Sequence, residues 1–262
     1  KMGANGGFAF LVLYLLLVVF AGYILVMTEL SLGRATQRSI IPAYRVASDG
    51  KVTFIGILSA LAPFFVLGFY CYLGGYAVKY TIANLGDIFN AGFGVNGLDG
   101  TSFFVALYEN QWMSAAYTAV FTLATIIIVS RGVGEGIEKF NKVAMPGLFI
   151  VLLIVVVRSC TLPGAGAGVA FMLKPDLTVF QGGGWVHVLA SAGGQMFFSV
   201  SLGMGILVTY GSYMQKTDDI AKSGMMIPLA DTVIALLAGL AIMPAVFAFG
   251  MEPAAGPGLL FM

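Results

Sequence analysis

Residues 194–205, GQMFFSVSLGMG, place two serines, three glycines and a glutamine inside a long apolar run. Glycine in a helix costs about 1 kcal/mol relative to alanine, and a carbonyl released into hydrocarbon is costly unless it faces protein or a polar cavity. A break at Ser199–Gly203 would release the carbonyls of Phe198 and Ser199 beside the Ser199 hydroxyl. Such oxygens suit Na⁺ or an ammonium group, and the N–H groups that follow suit a carboxylate. This pattern predicts a transport site, and the open alternative is tight helix packing through small side chains.

Two acidic residues also lie within apolar runs. Asp231 stands in IPLADTVIALLAGL, a few residues inside a run, where an ionised carboxylate is costly and usually functional. The open alternative is an aspartate close enough to the aqueous boundary to stay hydrated. Glu29, in TELSLGR, lies near the end of the first run. It fits an inner gating or packing network, and equally a surface charge that extends to water or pairs with Arg34.

The elements that must position these residues are membrane-spanning helices. Of the 262 residues, 59% are hydrophobic and 10% are charged, whereas about a quarter of a soluble domain is charged. A span needs about 20 apolar residues, and six runs qualify: 8–32, 53–82, 112–129, 143–162, 185–214 and 224–250. Barrel strands would be shorter, with alternating polarity. The sequence therefore predicts an all-α, multi-span helical bundle with a single transmembrane domain over 1–262. As one helix, run 185–214 would be about 45 Å long, which leaves room for a break.

Charged residues outside the runs predict the orientation of the chain. Nine lysines and arginines lie in the loops after the first, third and fifth runs, and four lie elsewhere. By the positive-inside rule these three loops are cytoplasmic, and both ends of the chain are extracytoplasmic. The connections 86–111 and 163–184 are predicted as glycine-rich external loops. The formal net charge is +1 without a basic run, so no nucleic-acid partner is predicted.

Four blocks of sequence resemble the bacterial neurotransmitter:sodium symporter family. The family's second helix is matched by NGGFAFLVLYLLLVVFAGYILVMTELSLGR, and its fifth helix with the preceding connection by SRGVGEGIEKFNKVAMPGLFIVLLIVVVRSCTLPGA. Its sixth helix, which the family unwinds, is similar to GQMFFSVSLGMGILVTYGSYM, and its seventh resembles ADTVIALLAGLAIMPAVFAFG. The resemblance implies a leucine-transporter-like fold of five-plus-five inverted repeats, of which this chain would be a fragment holding helices two to seven. Helix one is then expected before Lys1 and helix eight after Met262.

The resemblance also implies an ion site. Ser199 matches the hydroxyl residue of the family's first sodium site, to which Asp231 would add a carboxylate. Counting back from Pro244 shifts the register of Asp231 by one residue, but the charge stays near the sodium. Tyr14 and Gln195 match chloride-site positions of animal members and are expected to hydrogen-bond Asp231. Because bacterial members tend to replace the chloride with a carboxylate, we expect transport to require Na⁺ but not chloride.

The implied substrate pocket draws on two helices. Tyr70, in FYCYLGGYAVKY, matches the third-helix tyrosine that holds the substrate carboxylate, and Val66 lies one turn earlier on the same face. Without the resemblance, Tyr70 fits an ordinary core or interface tyrosine. The sixth helix supplies the pocket positions Phe198, Ser199, Ser201 and Met204. The Phe198 carbonyl would accept from the substrate amine, and the flexible thioether of Met204 would admit a larger apolar or aromatic side chain.

These patterns predict sodium-coupled symport of an apolar or aromatic amino acid by alternating access in a prokaryotic plasma membrane. The expected partners are the amino acid, sodium ions and the lipid bilayer, and the sequence does not indicate an oligomeric state. The alternative is a channel or pore-type protein that uses glycine and serine only for helix packing. A channel should carry repeated polar positions along one face of a span, whereas polarity here is concentrated at one depth. An enzyme is not predicted, because the sequence has no intramembrane cluster of His, Glu and Asp and no zinc-type spacing.

Overall fold

The computed structural model describes residues 1–89, 94–95 and 100–253, and nearly all of their regular structure is helical. These residues form two compact units. The first unit contains residues 1–63 and 151–253, and the second contains residues 64–150. The single transmembrane domain over 1–262 stays a prediction.

Apart from two 3₁₀ turns, the described residues form ten helices. In chain order they are α1 (Phe8–Thr36), α2 (Ile40–Ala47), α3 (Thr53–Ile88), α4 (Gly100–Glu109), α5 (Gln111–Val129), α6 (Val133–Cys160), α7 (Ala165–Leu173), α8 (Gly184–Ser199), α9 (Ile206–Tyr213) and α10 (Ile220–Ala248). Two helices contain a wider π turn, α1 at Val18–Gly22 and α6 at Val133–Glu138.

Five helices, α1, α3, α5, α6 and α10, are long and apolar enough to cross a membrane. They correspond to five of the six predicted spans, and the sixth predicted span is divided between α8 and α9. The bounds differ from the prediction most at two helix ends, because α3 continues to Ile88 and α6 begins at Val133, whereas the other ends differ by at most four residues. The added turns of α6 are polar, and an ion pair of 2.7 Å between Lys142 and Glu138, one turn apart, supports them.

The two connections predicted as external loops contain helices instead, α4 within residues 86–111 and α7 within residues 163–184. The α7 sequence AGAGVAFML suggests a loop because glycine has a low helix propensity. In the structure α7 packs against α10, where Gly168 lies directly against the backbone of Met243. Tertiary packing therefore stabilises a helix that local propensity would not.

The core of the first unit lies along α1. The first half of α1 packs against α8, and its second half packs against α9 and α10. Buried side chains on these helices form one cluster that includes Phe10, Tyr14, Val26, Leu30, Val188, Ala192 and Met196. A single continuous span thus supports both halves of the divided one.

Two glycines allow α1 and α9 to approach closely. A Cβ atom at Gly33 of α1 would overlap the carbonyl of Val208, and one at Gly211 of α9 would lie 2.5 Å from the carbonyl oxygen of Leu30. Small residues permit this backbone contact between membrane helices. The position of α9 is therefore fixed by direct packing on α1.

Aromatic side chains connect the helices of the second unit. The hydroxyls of Tyr72 and Tyr76 on α3 lie 2.8 Å apart, and the Tyr76 ring lies 5.5 Å from that of Phe104 on α4. The Lys79 ammonium lies 5.4 Å from the ring centroid of Phe103, within the range of a cation–π interaction. These contacts hold α3 against α4.

Candidate functional site

The divided span is interrupted between Ser199, where α8 ends, and Ile206, where α9 begins. Ser201, Gly203 and Gly205 have φ angles of 58°, 74° and 68°. This left-handed conformation suits glycine but costs roughly 1–2 kcal/mol for a residue with a side chain. Surrounding structure must therefore hold Ser201 in place. The predicted discontinuous helix is confirmed.

The break changes the hydrogen bonding of the carbonyls that end α8. The Phe197 carbonyl accepts from the N–H of Leu202 at 2.9 Å, and the Phe198 carbonyl accepts a longer bond of 3.3 Å from Ser201. Among the described residues, no backbone N–H donates to the carbonyl of Ser199. Of the two carbonyls expected at the site, that of Ser199 therefore has no backbone donor among the described residues, whereas that of Phe198 accepts the longer bond from Ser201.

Three helices of the first unit meet at the carboxylate of Asp231. The Ser199 hydroxyl of α8 donates to Asp231 Oδ2 at 2.6 Å, and the Tyr14 hydroxyl of α1 donates to the same oxygen at 3.3 Å. Gln195, one turn before Ser199, lines a cavity of about 170 Å³ together with Tyr14. In the part of the chain that the structure describes, no hydrogen bond joins Gln195 to Asp231.

Glu29 of α1 accepts a backbone hydrogen bond from the break. Its Oε1 accepts the N–H of Gly203 at 2.7 Å, across 174 residues of sequence. Arg34 instead donates to the carbonyl oxygen of Asp218 at 2.6 Å, and no ion pair between Arg34 and Glu29 occurs in the described residues. Of the alternatives left open for Glu29, the structure favours the internal network. On the neighbouring α2, burial and the negative charge of Glu29 raise the pKa of the Tyr44 phenol.

The residues predicted to bind substrate lie in both units. Phe198, Ser201 and Met204 lie in or beside the break, and the Phe198 side chain is 39% exposed. Val66 and Tyr70 lie one turn apart on α3 and belong to the second unit. The structure therefore brings the α8–α9 positions together, and the contribution of Val66 and Tyr70 to the same pocket stays a prediction.

The first unit thus assembles oxygen donors of the kind that a hard monovalent cation prefers. Asp231 supplies a carboxylate, and Ser199 supplies a hydroxyl and a carbonyl oxygen without a backbone partner. No group of three His, Cys, Asp or Glu side chains that could hold a metal ion occurs in the described ranges.

Comparison with known proteins gives consistent matches. Residues 109–253, more than half of the chain, match the model of the sodium:neurotransmitter symporter family. YhdH of Bacillus subtilis, described as an uncharacterized sodium-dependent transporter, is 39% identical over 99% of this chain and 56% of its own length. A sodium-dependent transporter of Haemophilus influenzae is 32% identical over 99% of this chain and 58% of its own length.

A solved structure also matches. The crystal structure of MhsT in complex with L-phenylalanine superposes with a TM-score of 0.89 at 35% identity, covering 99% of this chain and 58% of MhsT. The chain therefore has the predicted leucine-transporter-like fold and spans little more than half the length of these relatives. Because the family model matches more than half of the chain and a sodium-dependent relative is 39% identical over 99% of it, the chain belongs to the sodium:neurotransmitter symporter family.

Proposed function

We propose that the full-length protein is a symporter that couples Na⁺ entry to the uptake of an apolar or aromatic amino acid. The observation that carries the proposal is the hydrogen bond of 2.6 Å between Ser199, at the end of α8, and Asp231 of α10. It joins a carboxylate to the residue at which the divided span breaks, inside a membrane protein, where an ionisable group usually marks an ion or substrate path. The sodium-dependent relatives support the choice of ion.

The first sodium site would use the Asp231 carboxylate together with the hydroxyl and carbonyl oxygens of Ser199. Tyr14 would orient the carboxylate through its bond to Oδ2, and Gln195 would complete the network from the adjacent cavity. The fixed charge of Asp231 would take the place of a bound chloride, so that transport needs Na⁺ but not Cl⁻.

The amino acid would bind across the break. The Phe198 carbonyl would accept from its ammonium group, and the Tyr70 hydroxyl would donate to its carboxylate. Val66, Ser201 and Met204 would surround the side chain, with the thioether of Met204 adapting to its shape. The solved complex of MhsT with L-phenylalanine supports an amino-acid substrate with an aromatic side chain.

Uptake into proteoliposomes that contain the full-length protein tests this function. With an inward Na⁺ gradient, we expect saturable uptake of radiolabelled L-phenylalanine that stops when K⁺ replaces Na⁺. Counterflow into vesicles preloaded with unlabelled substrate would indicate alternating access. A flux that rises linearly with concentration and ignores Na⁺ would contradict the proposal and favour a pore.

A further inference from the structure

The short helix α2 connects two spans, and one of its faces is fixed to the first unit. Ala43 on this face is fully buried. A Cβ atom at Gly56 of α3 would lie 3.0 Å from the Cα of Ile41, and one at Gly205, in the break, would lie 2.6 Å from the side chain of Ile40. These close approaches leave little freedom for α2 to move relative to α3 and to the break.

The turn between α2 and α3 is also closed by hydrogen bonds. The Ser48 hydroxyl donates to the carbonyl of Tyr44 at 2.6 Å and accepts the N–H of Val52 at 3.2 Å. Asp49 and Gly50 adopt left-handed φ angles of 49° and 83°, which reverse the chain between the two helices. The helix is therefore held between the end of α1 and the beginning of α3.

Other side chains of α2 and of the residues that flank it are exposed, and they combine apolar with cationic groups. Ile41 is 38% exposed and Val46 is 52% exposed. The side chains of Arg45 within α2, of Arg38 before it and of Lys51 after it are also exposed. None of these three cations forms an ion pair among the residues that the structure describes. Exposure of Ile41 and Val46 to water is unfavourable. Basic and apolar side chains together are typical of helices that lie at a membrane interface.

We propose that the exposed residues Arg38, Ile41, Arg45, Val46 and Lys51, of which Arg38 and Lys51 flank α2, bind anionic phospholipid headgroups of the cytoplasmic leaflet. Together they are named the α2 basic face. Guanidinium groups donate paired N–H bonds to phosphate oxygens, and the two apolar side chains would enter the boundary between headgroups and acyl chains.

The positive-inside rule places this loop on the cytoplasmic side. Residues 34–51 contain four cations and a single acidic residue, Asp49, which complements a negatively charged surface. The proposal depends on the membrane location of the protein and not on its transport activity.

The test is equilibrium binding of fluorescent phosphatidylglycerol to the full-length protein in detergent, with phosphatidylcholine as the zwitterionic comparison. We expect the double variant R38Q/R45Q to bind phosphatidylglycerol about tenfold more weakly, with unchanged binding of phosphatidylcholine. The matched control is K216Q/K222Q, which removes two exposed cations from another predicted cytoplasmic loop and should change the affinity less than twofold. Equal affinity in R38Q/R45Q and the unmodified protein, or an equal loss in both variants, would overturn the proposal.

Two measurements on the unmodified protein apply even where the double variant fails to fold. Binding of phosphatidylglycerol should weaken several-fold when NaCl rises from about 50 to about 500 mM, because salt screens exposed charges. Inorganic phosphate at about 10 mM should not compete, since it offers nothing to Ile41 and Val46. Salt-independent binding, or full competition by phosphate, would show that the α2 basic face is not a lipid site.

Discussion

At the residue scale, Asp231 lies within a membrane-spanning helix, and hydrogen bonds are made to one of its two carboxylate oxygens. Its Oδ2 accepts from the hydroxyls of Ser199 and Tyr14. No described residue donates a hydrogen bond to Oδ1, so one oxygen of the carboxylate is available to a cation. Because an uncompensated charge inside a membrane is costly, Na⁺ bound here would be stabilised by the carboxylate and would stabilise it in turn.

The variant Ser199→Ala removes a hydroxyl that donates to Asp231 and that would offer an oxygen to Na⁺ in the proposed site. A hydrogen bond to a charged group contributes about 1.5–3 kcal/mol, so we expect the apparent Na⁺ affinity to fall about tenfold or more. The measurement is a Na⁺ titration of L-phenylalanine binding to the full-length protein. Ser191→Ala, two turns earlier in α8, is the matched control and should behave like the unmodified protein. An unchanged Na⁺ affinity in Ser199→Ala would refute its role as a ligand.

Met204 is expected to set the size of the substrate. Replacing it with phenylalanine puts a rigid ring where a flexible side chain stood, so the pocket should accept leucine more readily than phenylalanine. A change of one or two methylenes in an apolar pocket is worth about 1–3 kcal/mol, and we expect the preference to shift roughly tenfold in a competition assay. Met225→Phe, at an exposed position of α10, should leave the preference unchanged. The same result for both variants would place Met204 outside the pocket.

At the scale of elements, the break depends on Glu29, whose carboxylate replaces the lost helical acceptor for Gly203. Glu29→Gln keeps an oxygen in this position, whereas Glu29→Ala leaves the N–H without a partner at a cost of about 1–3 kcal/mol. We therefore expect Glu29→Ala to melt at a lower temperature than Glu29→Gln and to lose more L-phenylalanine binding. If the two variants melt together, the contact with Gly203 does not support the break.

The packing of α9 on α1 gives a second prediction at this scale. A methyl group added by Gly33→Ala would overlap the backbone of Val208, and overpacking of this kind typically costs about 1–3 kcal/mol. The melting temperature of the full-length protein should fall by several degrees. Gly147→Ala, where an added Cβ meets no atom within 4 Å, is the control and should melt like the unmodified protein. Equal melting of both variants would show that the helices can separate without loss.

The broken helix could be predicted from sequence because glycine and serine inside an apolar run are a local signal. The contact between Glu29 and Gly203 gives no such signal, since it depends on how α1 packs beside the break. The helix α7 was missed for the same reason, because its stability comes from packing on α10 and not from AGAGVAFML itself. Sequence patterns therefore predict the local conformation of each segment, whereas the contacts between segments are seen only in the structure.

At the scale of the molecule, hydropathy was sufficient for the multi-span, all-α architecture, because the bilayer imposes a length and a composition on every span. The family resemblance predicted that Ser199 and Asp231 lie in the same site. Spacing alone could not predict this, because the two residues are 32 positions apart. Val66 and Tyr70 belong to the other compact unit, so their expected part in the substrate pocket rests on the resemblance alone.

Uptake of L-phenylalanine by the full-length protein and by Asp231→Asn, each in chloride and in gluconate medium, is the decisive test of the proposed sodium site. We predict that the unmodified protein needs Na⁺ and transports equally in both media, because Asp231 supplies the negative charge beside the ion. Asp231→Asn should lose uptake in gluconate and regain part of it in chloride. Loss of uptake by the unmodified protein in gluconate, or normal sodium-dependent uptake by Asp231→Asn in gluconate, would contradict a sodium site built on this carboxylate.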